Sequence, residues 1–244
     1  MTFVGVRAGV GRSTLRLTPG PLAPRLLSAD ATGAKIALVA TSALLLGGDH
    51  VQLEVDVGPG AWLEIVETAG TVAYDAAGES SSWNVRVAVD RGGLLIWHGE
   101  PFVLADGSNT LRRSVFELGP DASTCIRETV ILGRTGERGG AVRIQTRVSR
   151  CGLPVLVEDL ELRDRERREL PGVIGSSAVI DTVTVLGAQV PGRSAPDAGT
   201  IFELDASAGT VGRFLRTGLA GSPAAKWWPV WSRAARDRYL AALH

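Results

Sequence analysis

The stretch LLLGGDHVQLEVDVGPGAWLEI, Leu44–Ile65, decides how the chain is read. Val51, Leu53, Val55 and Val57 alternate with Gln52, Glu54 and Asp56, the period of a strand with one apolar face. Gly58-Pro59-Gly60 is a turn, because proline presets the backbone and glycine accepts positive φ. A second apolar run, Ala61–Ile65, follows at once. Gly47-Gly48-Asp49 needs another reason. The glycines predict a tight bend where the strand begins. Asp49 either closes that bend through the backbone or presents its carboxylate to a site.

The same unit recurs along the chain. VDVGPGAWLEIV, VAVDRGGLLIWH, FELGPDASTCIR and TRVSRCGLPVLV each run from strand through small polar turn to apolar run. Their turns open at Gly58, Asp90, Gly119 and Ser149, a spacing of roughly 30 residues, inside the range of solenoids and arrays. Stacked units of that kind bury in each other the apolar face that none can bury alone. The period fits an ordinary meander or sandwich equally well.

Helix signals are scarce before the end. Ser222-Pro223 suits a helix start as cap and first-turn proline. Pro229 is expected to break or kink that helix, leaving Val230, Ala234, Tyr239 and Leu243 on one face of a final segment. Trp227, Trp228 and Trp231 cluster before it and, with Tyr239, are candidates for partner binding, since Trp and Tyr are enriched at interface hot spots. The alternative is that they anchor the helix on the sheet. Residues 1–221 are read as one β domain and 222–244 as a helical segment packed on it or extending it. RDRERREL, Arg163–Leu170, reads as a solvated turn or short helix.

The 244 residues are 45% hydrophobic, enough for a substantial core. Lys plus Arg and Asp plus Glu are 26 each, which argues against nucleic acid as a partner, because phosphate binding needs a basic excess. Cys125 and Cys151 are too few for a disulfide framework or paired CxxC zinc motifs, and their near-equivalent places in successive units suggest buried packing. No segment has signal-peptide character or the roughly 20 apolar residues of a membrane span. The expectation is a soluble cytoplasmic protein with no membrane partner.

Chemical motifs are weak. GVGRST, Gly9–Thr14, falls short of a phosphate loop: Val6 stands where the first glycine belongs and Arg12 where lysine belongs. No nucleophile, base and orienting group form a known signature, so catalysis is not expected. Asp49-His50, His98 with Glu100, and Glu158-Asp159 are pairs, short of the three or four ligands of a stable metal cage. Carboxylate and imidazole can nevertheless hold a divalent ion weakly and release it.

GGDHVQLEVDVGPGAWLEIVET (Gly47–Thr68), LLIWHGEPFVLADGS (Leu94–Ser108), RETVILGRTGE (Arg127–Glu137) and LPVLVEDLELRD (Leu153–Asp164) stand in order and at intervals that resemble the UreD family of urease accessory proteins, called UreH in some organisms. The resemblance covers about Leu44 to Asp164 and weakens toward both ends. It implies an all-β fold, an irregular right-handed β-solenoid with a short C-terminal helical element. It implies a non-enzymatic factor that binds urease structural subunits and a UreF-type accessory protein, with a UreG-type GTPase joined indirectly. It implies Ni²⁺ in transit through a polar conduit, with no permanently bound cofactor.

Asp49 matches the family's acid at the GGD corner and is the first conduit candidate. Glu128 matches an acidic position that follows an aromatic; here Arg127 replaces the aromatic. Glu100 and Asp106 fall in the family's segment before DG and complete the conduit set, although Asp106-Gly107 also suits a hairpin turn. His50 and His98 are weaker candidates for touching a metal in passing. The family often carries lysine where Val72 stands, within TVAY, Thr71–Tyr74. A β-scaffold hydrolase or transferase is the rival reading, and a carbohydrate-binding solenoid is disfavoured because aromatics are only 5% of the chain.

Overall fold

The computed structural model describes residues 1–190 and 199–243. Two antiparallel pairs come first: β1 (Thr2–Arg7) with β2 (Thr14–Thr18), and β3 (Leu22–Ala29) with β4 (Gly33–Ala40). Coils then wind between two sheets. β5 (His50–Val57), β6 (Trp62–Glu67) and β7 (Thr71–Ala73) form one; β8 (Ser81–Val89), β9 (Leu94–His98) and β10 (Phe102–Leu104) form the next. β11 (Asn109–Leu118) and β12 (Ser123–Leu132) follow, and β13 (Ala141–Arg150) returns to the first sheet. β1, β5, β8, β11 and β13 are parallel neighbours there; β4, β6, β9 and β12 are parallel neighbours in the second sheet. The result is an all-β solenoid of about four turns.

The corners stack as the strands do. Gly60 and Gly92 have φ of 59° and 62°, and each donates its N–H to the corner of the next coil, to Arg91 O and Pro120 O at 2.9 Å. Three of the four expected corners, at Gly58, Asp90 and Gly119, lead from the first sheet to the second. The fourth, at Ser149, does not. β14 (Leu153–Glu161) folds back antiparallel on β13 and ends the first sheet. Cys151 and Gly152 both have positive φ, 51° and 80°, which is the twist of a two-residue hairpin reversal. Cys151 is accordingly exposed, against the expectation of burial, while Cys125 is buried.

After α1 (Arg165–Arg168), the strands β15 (Val179–Leu186), β16 (Thr200–Glu203) and β17 (Gly209–Arg216) extend the second sheet antiparallel from β12. The charged stretch around α1 is less solvated than its composition suggests. Arg168 is buried and donates to the carbonyls of Gly140, Arg138 and Gly139 at 2.8, 2.7 and 3.0 Å.

The main core lies between the sheets. Val51, Leu53, Val55 and Val57 meet Leu63, Ile65, Leu95 and Trp97 there. The outer face of the second sheet is covered by α2 (Ala224–Ala241), which is why β9 reads LLIW without alternation: both of its faces are buried. The helix starts one residue later than expected: Pro223 is its N-cap, and Ser222, just before it, accepts the Ala224 N–H at 3.3 Å. Pro229 lies inside a continuous helix, and no break occurs. Interior proline costs about 3 kcal/mol, and burying two tryptophans on either side of it more than offsets this. The inward stripe is Trp227, Trp231, Ala235 and Tyr239, spaced by four; Val230 and Leu243 of the expected stripe are exposed. Trp227 and Trp231 stack with centroids 5.4 Å apart. Trp227, Trp231 and Tyr239 therefore anchor the helix and present no open partner patch, while Trp228 is half-buried against His98. No helix among the described residues is long and apolar enough to cross a membrane, which leaves strand-built spans unaddressed.

Candidate functional site

Glu67, Arg112 and Glu128 bring charge into the space between the sheets. Leu63 and Ile65 of β6 point inward, and Glu67 falls on the same phase. Thr110, Ser114, Phe116 and Leu118 of β11 point inward, and Arg112 shares their phase. In β12 that phase holds Ile126, Glu128 and Val130. The register pairs Val66 with His98 and His98 with Arg127. One residue further along, Gly99 therefore stands between Glu67 and Glu128. A side chain at Gly99 would run into the Arg127 carbonyl at 2.8 Å and reach Glu67 Oε1 at 3.7 Å, so glycine leaves the gap between the two acids open.

Two cavities meet at this point. The larger, about 300 Å³, opens between the sheets and is lined mainly by aliphatic and threonine side chains of β12 to β17. The Glu158–Arg213 ion pair also lines it, with Arg213 Nη2 at 2.9 Å from Glu158 Oε2. The smaller, about 20 Å³, holds room for one water molecule and is bounded by Glu67, Trp97, Gly99 and Arg127. Arg112 and Glu128 border both, and their Nη2–Oε1 distance is 2.7 Å.

Glu67 is the most perturbed acid here. Burial pushes its carboxyl up to about 7, while Arg112 and the N–H groups of Glu100 and Trp97 pull the other way. Those two bonds measure 3.0 and 3.1 Å. Through the Glu100 N–H, Glu67 adjoins the part-exposed pair of His98 Nδ1 and Glu100 Oε1, 3.8 Å apart. Burial, then the nearby Arg127 charge, hold His98 below its ordinary pKa. Arg127 is tied elsewhere: Nε and Nη2 donate to Asp181 at 3.2 and 3.0 Å, and Asp181 is fully buried.

The remaining candidates sit apart. Asp49 Oδ2 accepts the Leu46 N–H at 3.0 Å, and Gly48 takes φ of 85°. A side chain at Gly47 would strike the Ala76 carbonyl at 2.5 Å. GGD is therefore a corner closure, and Asp49 borders neither cavity. Asp106 is exposed, and its Oδ1 accepts from Arg138 and Gly139 at 3.0 and 2.7 Å, pinning the loop that follows β12. His50 is exposed with Nδ1 2.9 Å from Ser82 Oγ. Val72 lies in β7 and pairs with Val103 of β10. Among the described residues no three His, Cys, Asp or Glu side chains converge as a metal cage would require.

Residues 7–226 match the family model described as UreD urease accessory protein. The chain belongs to the UreD family. It is 48% identical over 198 residues to urease accessory protein UreD 1 of Streptomyces griseus subsp. griseus, covering 80% of this chain and 78% of that protein. It is 33% identical over 221 residues to urease accessory protein UreD 1 of Saccharopolyspora erythraea, covering 87% and 85%. Membership in the UreD family supports a role in urease maturation.

Of the four acids put forward for the conduit, Glu128 lines both cavities, and Glu100 reaches them only through its N–H bond to Glu67; Glu158, noted in sequence only as half of a weak pair, lines the larger one. Glu67 and Arg112 were overlooked. The signal for both was present: a charged residue on the apolar phase of an alternating strand.

Proposed function

We propose that this UreD-family chain is a non-catalytic scaffold in urease maturation whose polar interior carries Ni²⁺ toward the urease apoprotein. The supporting observation is the placement of Glu67 and Glu128 on either side of Gly99 in the space between the sheets, Glu67 lining the smaller cavity and Glu128 both. An unpaired cation cannot enter a dry core at acceptable cost, and interior carboxylates lower that cost. The acids are few and scattered, so the ion is not trapped, as conduction requires. The path runs from the larger cavity past Glu128 to Glu67, then to Glu100 and His98 at the surface. The partners on this reading are urease structural subunits and a UreF-type accessory protein, with a UreG-type GTPase joined through the latter, all in the cytoplasm.

A catalytic role finds little support. Burial pushes the Cys125 thiol far up, away from nucleophilic use. Asp106, which accepts the Arg138 and Gly139 N–H groups, and the turn-closing Asp49 are engaged in structure.

Co-expression with urease structural subunits and the other accessory proteins tests the reading, with urease nickel content and activity as the measurements. Glu128→Gln and Glu67→Gln are expected to lower nickel loading several-fold at unchanged levels of folded chain. Asp49→Ala is expected to act only through the amount of folded chain. Full nickel loading in the Glu67→Gln/Glu128→Gln double variant would end the conduit account and leave the scaffold role.

A further inference from the structure

Arg127, Arg168 and Arg112 are each largely removed from solvent, and they are held differently. Arg127 places Nε and Nη2 on one buried carboxylate, that of Asp181. Arg168 donates to a cluster of backbone carbonyls. Among the described residues Arg112 makes a single hydrogen bond, Nη2 to Glu128 Oε1 at 2.7 Å. Its guanidinium lies over the Phe102 ring at 5.0 Å from the centroid. Its Nε is buried and finds no hydrogen-bond partner among the described residues. The first two are fixed parts of the fold. The third is half-engaged, and it stands where the two cavities meet.

We propose that Arg112 is a displaceable counter-ion that gates the passage, yielding Glu128 to a divalent cation and refusing a monovalent one. The inference rests on the conduit reading. An ion moving from the larger cavity to the smaller must pass the Arg112–Glu128 pair, because these two residues border both. To bind Glu128 it has to replace a guanidinium already in charge-assisted contact. A monovalent ion offers the carboxylate no more charge than the arginine it would displace. A divalent ion attracts it twice as strongly at equal distance. The released guanidinium is not left bare: it already lies over the Phe102 face, which holds it by cation–π attraction, and the Glu67 carboxylate is within its electrostatic reach. The unpaired Nε lowers the cost of leaving, since fewer bonds are broken than at Arg127 or Arg168.

The test titrates the purified full chain with nickel chloride by calorimetry, at low and high potassium chloride. Arg112→Gln is expected to bind Ni²⁺ about tenfold more tightly than wild type, because a repelling charge is gone and Glu128 is free. The gain is expected to fall as potassium rises, and to vanish in the Arg112→Gln/Glu128→Gln double variant. Arg112→Lys, which keeps the charge, is expected to stay within about twofold of wild type. A fold defect weakens binding and cannot produce the gain. If Arg112→Gln does not fold, Arg112→Met keeps the stem packed on Phe102 and gives the same reading. Unchanged or weaker nickel binding in the folded variant overturns the gate, as does a gain that survives removal of Glu128. Urease loading in the Glu67→Gln/Glu128→Gln double variant separates the two levels: full loading sinks the conduit, whereas impaired loading with no gain in Arg112→Gln sinks the gate alone.

Discussion

Ser222 donates its hydroxyl to Asp181 Oδ2 at 2.6 Å, and this bond fastens the entry of α2 to the middle of β15. Asp181 is fully buried and also takes Arg127 and the Thr129 hydroxyl, the latter at 3.0 Å. One carboxylate thus joins β12, β15 and the helix start. Removing one partner of a buried ion pair leaves the other uncompensated. Asp181→Ala is expected to cost about 3–5 kcal/mol and Ser222→Ala about 1.5–3 kcal/mol, read from urea unfolding. A Ser222→Ala chain as stable as wild type would show that the helix is held by its tryptophans alone.

Glu67 gives stability a pH dependence of definite sign. Its carboxyl is raised from the ordinary 4.5 to about 7 in the folded chain. Between those values the folded state keeps a proton that the unfolded state has lost, so stability falls as pH rises through this window. His98, held below its ordinary pKa, acts in the opposite sense, and the comparison must therefore be between variants. Thermal melts at pH 5 and pH 8 should show a smaller loss in Glu67→Gln than in wild type, by on the order of 1–3 kcal/mol. Equal losses would mean that Glu67 is ionised throughout.

The two cysteines make an internal reporter of unfolding. Cys151 is exposed on its hairpin, and Cys125 is buried beneath α2 with its thiol pKa pushed up. Alkylation with iodoacetamide at neutral pH should modify Cys151 alone in the native chain, and both in urea. Native labelling of Cys125, read by mass spectrometry, would mean that α2 opens from the sheet.

Gly212 of β17 is the floor on which the tryptophans rest. A Cβ there would meet Trp227 and Trp231 ring atoms at 2.7 Å. Gly212→Ala is expected to lift the stacked pair and cost about 1–3 kcal/mol, the penalty of overpacking. Tryptophan fluorescence should shift with the loss in stability. An unshifted spectrum with native stability would mean that α2 tolerates a small displacement.

The sheets were legible because Val51, Leu53, Val55 and Val57 obey a period that water and core impose together. The corners at Gly58, Asp90 and Gly119 were legible because glycine and proline leave few alternatives there. The reversal at Cys151 was not, since cysteine carries no expectation of positive φ. Pro229 misled because a local rule met two large buried rings that outweigh it. Asp49 closes its own bend through the Leu46 N–H, the first of the two roles that a carboxylate beside glycines allows. Glu128 does border both cavities. Glu67 and Arg112 went unnoticed because strand ends and mid-strand charges look solvated until two sheets close over them.

The Cys151-Gly152 hairpin has a consequence for the size of the scaffold. Earlier corners use one left-handed residue and send the chain on to another circuit; here two in succession turn it back along its own strand. The number of circuits is thereby capped by a dipeptide. Replacing it with a Pro-Gly corner would remove the stop that fixes the first sheet's last strand at β14.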